Sequence, residues 1–369
     1  LQARKQAEFD HGGARDPVNV TLECMCDEFE EVRLSTLSYA STTGYARTID
    51  QMLTYFGRER RVREIQRRHA EAFIATRKRC DGRNGELSSW SKARHLIHCR
   101  SIFMAAVEWG YVETNPFQAP KSSANSPLRI KPKGRPWQHV TPEDFRRLLA
   151  VVPSARRRAA YWLMYGCGLR PGEVYNIMVG NIDLHARRVH VVNRVATSDI
   201  PPFTLKAEGQ SSESKERSVP IPEAAIPDLT EAMRQAFKSG GFVVLTPERF
   251  QRIQEYWRLC RERNPWGGHV WRPWQNRDMM NNLLRDTKFC LEEAKITLTA
   301  PFTLQTFRKS FAQNHADAGT PPRTLAKLLG HANTRVTMQF YNRVTDANER
   351  AASEAMNRVL AQQESEACA

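Results

Sequence analysis

Thr303-Leu304-Gln305-Thr306-Phe307-Arg308-Lys309-Ser310-Phe311 reads as an amphipathic helix that carries one arginine, Arg308, among apolar neighbours. Leu328-Leu329-Gly330-His331 follows it, and Tyr341, in Gln339-Phe340-Tyr341, comes ten residues after the histidine. Taken singly, a His after Gly is a cap or a satisfied surface residue, and a lone Tyr is core. Upstream, Gly168-Leu169-Arg170-Pro171-Gly172-Glu173-Val174 is a turn that starts a short helix, with Arg170 where its guanidinium would face a ligand. Between these stretches the period shortens. Ile182–Leu184, Val189–Val195 and Ser218–Ile221 have the β-branched content of short strands. Helices are expected over 155–168, 223–238, 247–263, 276–294, 303–318, 321–329, 334–341 and 345–363. Thr141-Pro142-Glu143-Asp144 opens another: Thr caps, Pro suits the first position, and the acids complement the first turn.

The first half of the chain is helical in its spacing, although residues 1–31 show little periodicity apart from a candidate short helix near Cys24–Phe29. Tyr45, Ile49, Met52, Leu53 and Phe56 share one helix face, and Gly57 is a stop. A second helix, about 64–79, carries Ile65, Ala72 and Phe73, and a third, about 89–109, carries Leu96, Cys99, Phe103, Met104 and Val107. The expected fold class is therefore mainly α with a small antiparallel β-sheet, an α+β chain. Four regions are expected: an acidic N-terminal segment, 1–31; a helical domain, 32–118; a basic Pro-rich linker, 119–137; and a mixed domain, 138–369, ending in a helix.

Among 369 residues, 55 Lys and Arg outnumber 40 Asp and Glu, a net charge of +15. The excess is uneven. Residues 1–31 hold three basic and eight acidic residues, whereas 51–100 hold thirteen and five. The linker contributes Lys121, Arg129, Lys131, Lys133 and Arg135 with no acid between them. Clustered base makes nucleic acid the first partner to test, with a surface kept basic for solubility as the alternative. Together with Arg94 of the basic helical domain, the linker cations are candidate DNA contacts; an ordinary solvated tether is the competing reading of the linker. A 41% hydrophobic content excludes wholesale disorder. No stretch approaches the roughly 18 apolar residues of a membrane span, and no signal core follows Leu1-Gln2-Ala3-Arg4-Lys5. The absent initiator Met points to a trimmed start. Eight cysteines in a chain this long fit a reducing cytoplasm better than a disulfide framework. Cys24-x-Cys26 has no second pair at zinc spacing, so no metal site is expected. Trp266, Trp271 and Trp274 with Arg272 form an aromatic-basic cluster, read as partial core before a stacking surface.

In this order the patches resemble the tyrosine recombinase (phage integrase) family. That family has an Arg in a Gly-Leu-Arg box, a lysine on a β-hairpin, a His-x-x-Arg box, a Leu-Gly-His box, and a nucleophilic Tyr nine or ten residues on. Arg170 and Arg308 match its two arginines, His331 the Leu-Gly-His histidine, and Tyr341 the nucleophile. Glu173 fits an acidic position often found after the first arginine. Asn115-Pro116-Phe117 looks like the exit of the family's core-binding domain, and Arg217-Ser218-Val219-Pro220 sits where the family has its sheet. The resemblance implies an all-helical core-binding domain plus a tyrosine-recombinase catalytic domain. It implies site-specific cleavage and rejoining of double-stranded DNA by a cytoplasmic, nucleoid-associated enzyme, with four protomers on two sites and no cofactor. A topoisomerase IB-like strand transferase, or a DNA-binding protein of the same fold with weakened catalysis, are the alternatives.

Attack of a tyrosine on a phosphodiester builds negative charge on the non-bridging oxygens, and two planar guanidiniums hold those oxygens by charge-assisted hydrogen bonds. The departing 5′-oxygen needs a proton, which the resemblance assigns to a lysine. Lys215, in Ser214-Lys215-Glu216-Arg217, and Lys206 both qualify, with Lys215 favoured. Gln305 stands where the family has its usual His; an amide donates a hydrogen bond to phosphate but shuttles no proton.

Overall fold

The computed structural model describes residues 19–35, 37, 39–77, 87–120, 125–132, 138–205, 216–263, 275–341, 353–354 and 356–357. It divides into two compact units, Leu1–Arg135 and Pro136–Ala369.

The first unit is helical: α1 (Leu22–Arg33), α2 (Tyr39–Phe56), α3 (Arg67–Ala75) and α4 (Ser89–Glu108). Thr21 and Ser88 cap α1 and α4 through their hydroxyls, accepting from Cys24 N and Ser91 N. Gly57, at φ +89°, ends α2 as its spacing predicts. Two expectations need correction. The described part of the acidic segment, residues 19–31, does not stand apart from the helical domain. Leu22, Met25, Cys26 and Phe29 of α1 are buried in one core with Met52, Phe73, Cys99 and Phe103. The recurrence of 22, 25, 26 and 29 is helical, and the surrounding Glu and Asp residues mask it in composition. Nor is the described part of the expected linker a solvated tether. Leu128 is fully buried, Arg100 donates to the carbonyls of Phe117 (3.1 Å) and Leu128 (2.6 Å), and Ser126 donates to Glu71 (2.6 Å). Buried Leu and a satisfied arginine outweigh the extended bias that proline imparts there. Of the candidate DNA contacts, Arg94 is exposed on α4, Lys131 is exposed, and Arg129 donates to the Pro120 carbonyl. Lys121, Lys133 and Arg135 lie outside the described residues.

The second unit is mainly α around a small sheet. Its elements are α5 (Pro142–Val151), α6 (Ala155–Tyr165), α7 (Pro171–Val174), β1 (Ile182–Asp183), β2 (Arg188–Val191), β3 (Arg217–Pro220), α8 (Ile226–Ala236), α9 (Pro247–Arg263), α10 (Gln275–Glu293), α11 (Gln305–Asp317), α12 (Pro322–Leu329) and α13 (Arg335–Tyr341). The strands pair antiparallel in the order β1-β2-β3, with Ile182 opposite Val189 and Val189 opposite Val219. The middle strand is shorter than its run of valines predicts. It stops at Val191, and beyond it the described residues hold an isolated bridge between Arg194 and Phe203. The helix expected over 155–168 ends at Tyr165, where Gly166 and the left-handed Gly168 turn the chain. Thr141 accepts from Asp144 N and starts α5 as its sequence predicts. The tryptophan-rich segment 264–274 lies outside the described residues, as does the expected final helix except at 353–354 and 356–357.

α11 runs through the middle of this unit and packs against α6, α12 and α13. Phe307 on it is enclosed by Phe145, Tyr161 and Phe302 at centroid distances of 5.9, 5.1 and 5.1 Å, and Tyr165 stacks on Phe145 at 3.8 Å. These aromatic contacts fix the helix that presents Arg308. Among the described residues no helix is long and apolar enough to cross a membrane, and no group of three or more His, Cys, Asp or Glu is placed to hold a metal ion.

Candidate active site

Arg308 projects from α11 into the interior and is only 3% exposed. Such a charge is tolerable only when its donors are used. Nη1 donates to the Gly168 carbonyl at 2.5 Å, and Nη2 donates to the Leu329 carbonyl and lies 3.2 Å from His331 Nε2. One guanidinium thus touches the turn that leads to Arg170 and the end of α12. The glycine in that turn is required twice over. Gly168 has φ +65°, and a Cβ there would stand 2.5 Å from the Phe311 ring.

Arg170 is the N-cap of α7, with Pro171 in the first helical position. Three residues on, Glu173 folds back: Oε2 accepts from Arg170 N at 2.8 Å, and Oε1 accepts from Arg170 Nη1 at 3.0 Å. Glu173 is 4% exposed. Burial works to raise its carboxyl, but hydrogen bonds and charge from Arg217, then Arg170 and Arg308, hold it below the usual carboxylate range. It is an ionised acid among three arginines.

His331 follows Gly330, the left-handed cap of α12 at φ +63°. Its Nδ1 lies 2.8 Å from the hydroxyl of Thr337, itself fully buried on α13. A guanidinium only donates, so the Nε2 facing Arg308 is the acceptor, and the ring proton sits on Nδ1 against Thr337.

These residues meet at a cleft of about 180 Å³ lined by Arg170, Gln305, Arg308, Lys309, His331 and Gln339, among others. Gln305, the first residue of α11, is exposed at its rim. The cleft offers cationic and amide donors to an anion of phosphate size. Tyr341, the last residue of α13, does not line it. Its hydroxyl donates to the Thr320 carbonyl, and burial pushes its phenol above the ordinary tyrosine value, so it is protonated there. Lys206 and Lys215 lie outside the described residues.

Residues 138–348 match the model of the phage integrase family. The chain belongs to the phage integrase family. It is 23% identical over 274 residues to a XerC-like tyrosine recombinase of Caldanaerobacter subterraneus subsp. tengcongensis, a match covering 70% of this chain and 63% of that one. It is 25% identical over 231 residues to the tyrosine recombinase XerA of Thermococcus kodakarensis, covering 61% and 66%. The matches to these relatives thus span just under two thirds of their length. In three dimensions the chain is similar to the Tn1549 transposon integrase in complex with transposon right end DNA, with TM-score 0.65, 16% identity and coverage of 92% of this chain and 100% of that one. It is also similar to a lambda integrase dimer bound to a COC′ core site, with TM-score 0.59, 14% identity and coverage of 89% and 98%. At such identities the likeness shows the fold.

Three residues of this phage integrase family member belong to the site's surroundings without having been singled out from the sequence. Lys309 lines the cleft beside Arg308. Thr337 orients His331. Arg217 bonds Glu173 from β3, with Nη2 to Oε2 at 2.6 Å and Nη1 to Oε1 at 3.2 Å. Only Arg217 had a readable signal. It stands two residues before Val219, which is fully buried, and period-two alternation turns both to the core face. An inward arginine on a strand announces a buried partner.

Proposed function

We propose that this chain is a site-specific DNA recombinase that cuts and rejoins duplex DNA through a covalent 3′-phosphotyrosyl link to Tyr341. The observation that carries the reading is the convergence of Arg170, Arg308 and His331 on one anion-sized cleft, with Tyr341 at the end of the helix whose Thr337 bonds the histidine. In the reaction the phenol oxygen of Tyr341 attacks phosphorus as its proton passes to His331 Nε2, the acceptor nitrogen of the neutral ring. The phosphorus–O5′ bond breaks, and O5′ takes a proton from a lysine, Lys215 or Lys206. Arg170 and Arg308 hold the non-bridging oxygens as charge grows on them, the task that metal ions perform in other phosphoryl transfers. Gln305 adds a hydrogen bond to the same oxygens, and His331 adds one from Nε2 once it carries the phenol's proton. The phosphotyrosine conserves the bond energy, so a second 5′-hydroxyl reverses the step without ATP. Before attack, the Tyr341 hydroxyl leaves the Thr320 carbonyl.

The partner is double-stranded DNA, met by basic positions such as Arg94, Arg129 and Lys131, with Lys121, Lys133 and Arg135 extending the same field. A solved lambda integrase tetramer bound to a Holliday junction, similar in fold with TM-score 0.59, supports assembly of four protomers on DNA. Such an enzyme works in the cytoplasm, at the nucleoid. The docked Tyr341 hydroxyl and Gln305 favour a second reading, a DNA-binding protein with weakened catalysis. A nicked suicide duplex separates the two: wild type is expected to form a denaturation-resistant protein–DNA adduct and Tyr341→Phe none. Absence of an adduct on every candidate duplex would leave the binding reading.

A further inference from the structure

Arg217 is a charged side chain at the site that the proposed chemistry leaves unused. It sits on β3 with its side chain 5% exposed. Two of its nitrogens bond both oxygens of Glu173, at 2.6 and 3.2 Å, and its Nε donates to the Leu328 carbonyl at 2.9 Å. Leu328 is the penultimate residue of α12, three positions before His331. The same guanidinium lies against Gly330, where an added Cβ would meet Nη1 at 3.1 Å. Arg217 therefore touches both arms of the cleft: the Glu173–Arg170 arm and the segment carrying His331.

We propose that Arg217 is a positioning residue for the phosphate cleft. It occupies Glu173 so that Arg170 stays turned to the cleft, and it ties that pair to the His331 segment. This rests on the strand-transfer reading above. Glu173 is a buried carboxylate that accepts from Arg217, from Arg170 Nη1 and from Arg170 N. Without Arg217 the uncompensated carboxylate draws Arg170 more fully onto itself, and the cleft loses a cation as well as a brace. A buried ion pair that served folding alone would have no reason to span two arms of a ligand cleft. Lysine is no equivalent here, because a single ammonium cannot reach two carboxylate oxygens and a carbonyl on another element at once.

The test uses the full chain and two readouts. Orthovanadate binding, followed by vanadium NMR, reports the cleft without DNA chemistry, and adduct formation on the suicide duplex reports the reaction. Arg217→Gln is expected to weaken vanadate binding about 30-fold, as loss of one partner of a buried charge pair does. It should slow adduct formation on the order of 100-fold while duplex affinity stays within about threefold. Arg217→Lys should fall between Arg217→Gln and wild type. In the double variant Glu173→Gln/Arg217→Gln, removing the stranded carboxylate should restore part of the lost vanadate affinity and rate. Unchanged vanadate affinity in Arg217→Gln overturns the proposal, and so does a double variant as impaired as the single one or worse, the result of a merely structural role. If Arg217→Gln does not fold, Arg217→Lys decides: wild-type vanadate affinity there overturns the proposal. Failure of wild type to form any adduct removes the strand-transfer reading, and the vanadate arm still decides the brace. A wild-type cleft that takes no vanadate also overturns it.

Discussion

The two ends of the candidate site are held in different ways. At the arginine end every named group is tied to protein: Arg308 to the carbonyls of Gly168 and Leu329, Arg170 to Glu173, and His331 to Thr337. At the tyrosine end Tyr341 is held by its hydroxyl to the Thr320 carbonyl, outside the lining of the cleft. Charge stabilisation is most effective when the donors are in place before the charge appears, because no reorganisation is then needed. A nucleophile has no such requirement. A protonated phenol docked on a carbonyl is inert, and its release is a separate step that DNA binding is free to control. On the proposed chemistry, the preformed part of this site is its anion receptor, and the reacting atom is supplied to it.

Substitutions at the arginines and at Tyr341 should break the two ends differently. Arg170→Ala or Arg308→Ala is expected to slow adduct formation by orders of magnitude, since one lost transition-state donor costs about 3 kcal/mol or more. Duplex affinity, read by gel shift, should change far less. Arg308→Ala should also lower thermal stability, because two buried carbonyls lose a charged donor. Tyr341→Phe should abolish the adduct yet leave the melting curve close to wild type. Equal losses of cleavage and binding in the arginine variants would show that they grip backbone and nothing more.

Gly168→Ala tests how firmly the arginine end is built. The added methyl would stand 2.5 Å from the Phe311 ring at a φ of +65°. Overpacking of a core costs about 1–3 kcal/mol, with left-handed strain in addition. Thermal unfolding should shift down and adduct formation should fall with it. A variant with wild-type stability would mean the turn has slack that the close approach to Phe311 denies.

Much of this contrast was legible in the sequence because the site is built from local signals. Gly168 and Gly330 punctuate and Arg308 interrupts an apolar helix face, short-range patterns with a physical cause, whereas Arg170, His331 and Tyr341 were singled out together by the family resemblance. What escaped depended on long-range packing. Arg217 and Glu173 are 44 residues apart, and their pairing exists only because β3 lies over α7. Thr337 looks like any helix threonine until α13 is seen beside the Gly330–His331 turn. In 1–31 only a short helix near Cys24–Phe29 was legible, and the acidic composition hid that it belongs to the core of the helical domain. The prolines of 119–137 suggested a tether, yet one Leu and one Arg100 fold part of it down. The docked position of the Tyr341 hydroxyl had no signal, since a carbonyl acceptor belongs to any residue type.

Thr337→Val probes the histidine's place at the receptor end. It is nearly isosteric and removes the hydroxyl that holds His331 Nδ1 at 2.8 Å. Losing one such hydrogen bond is worth about 1 kcal/mol, or roughly fivefold in rate, with little change in DNA affinity. A wild-type rate would mean that packing against Arg308 alone fixes the ring.

The smallest effect is expected at Gln305, and it sharpens where the receptor ends. Gln305 is exposed at the first position of α11, and its substitution disturbs no core. As an amide it donates one hydrogen bond toward an anion in the cleft but holds no proton near neutral pH. Gln305→His supplies a group that does both, from the same helical position. Adduct formation should be unchanged or modestly faster. Any gain should be confined to the pH range in which imidazole changes charge, because only there does the new ring differ from an amide in what it carries. A rate that rises uniformly with pH-independent gain would assign the benefit to shape. Complete loss of activity would mean that position 305 contacts something other than the phosphate, and that the receptor stops at Arg308.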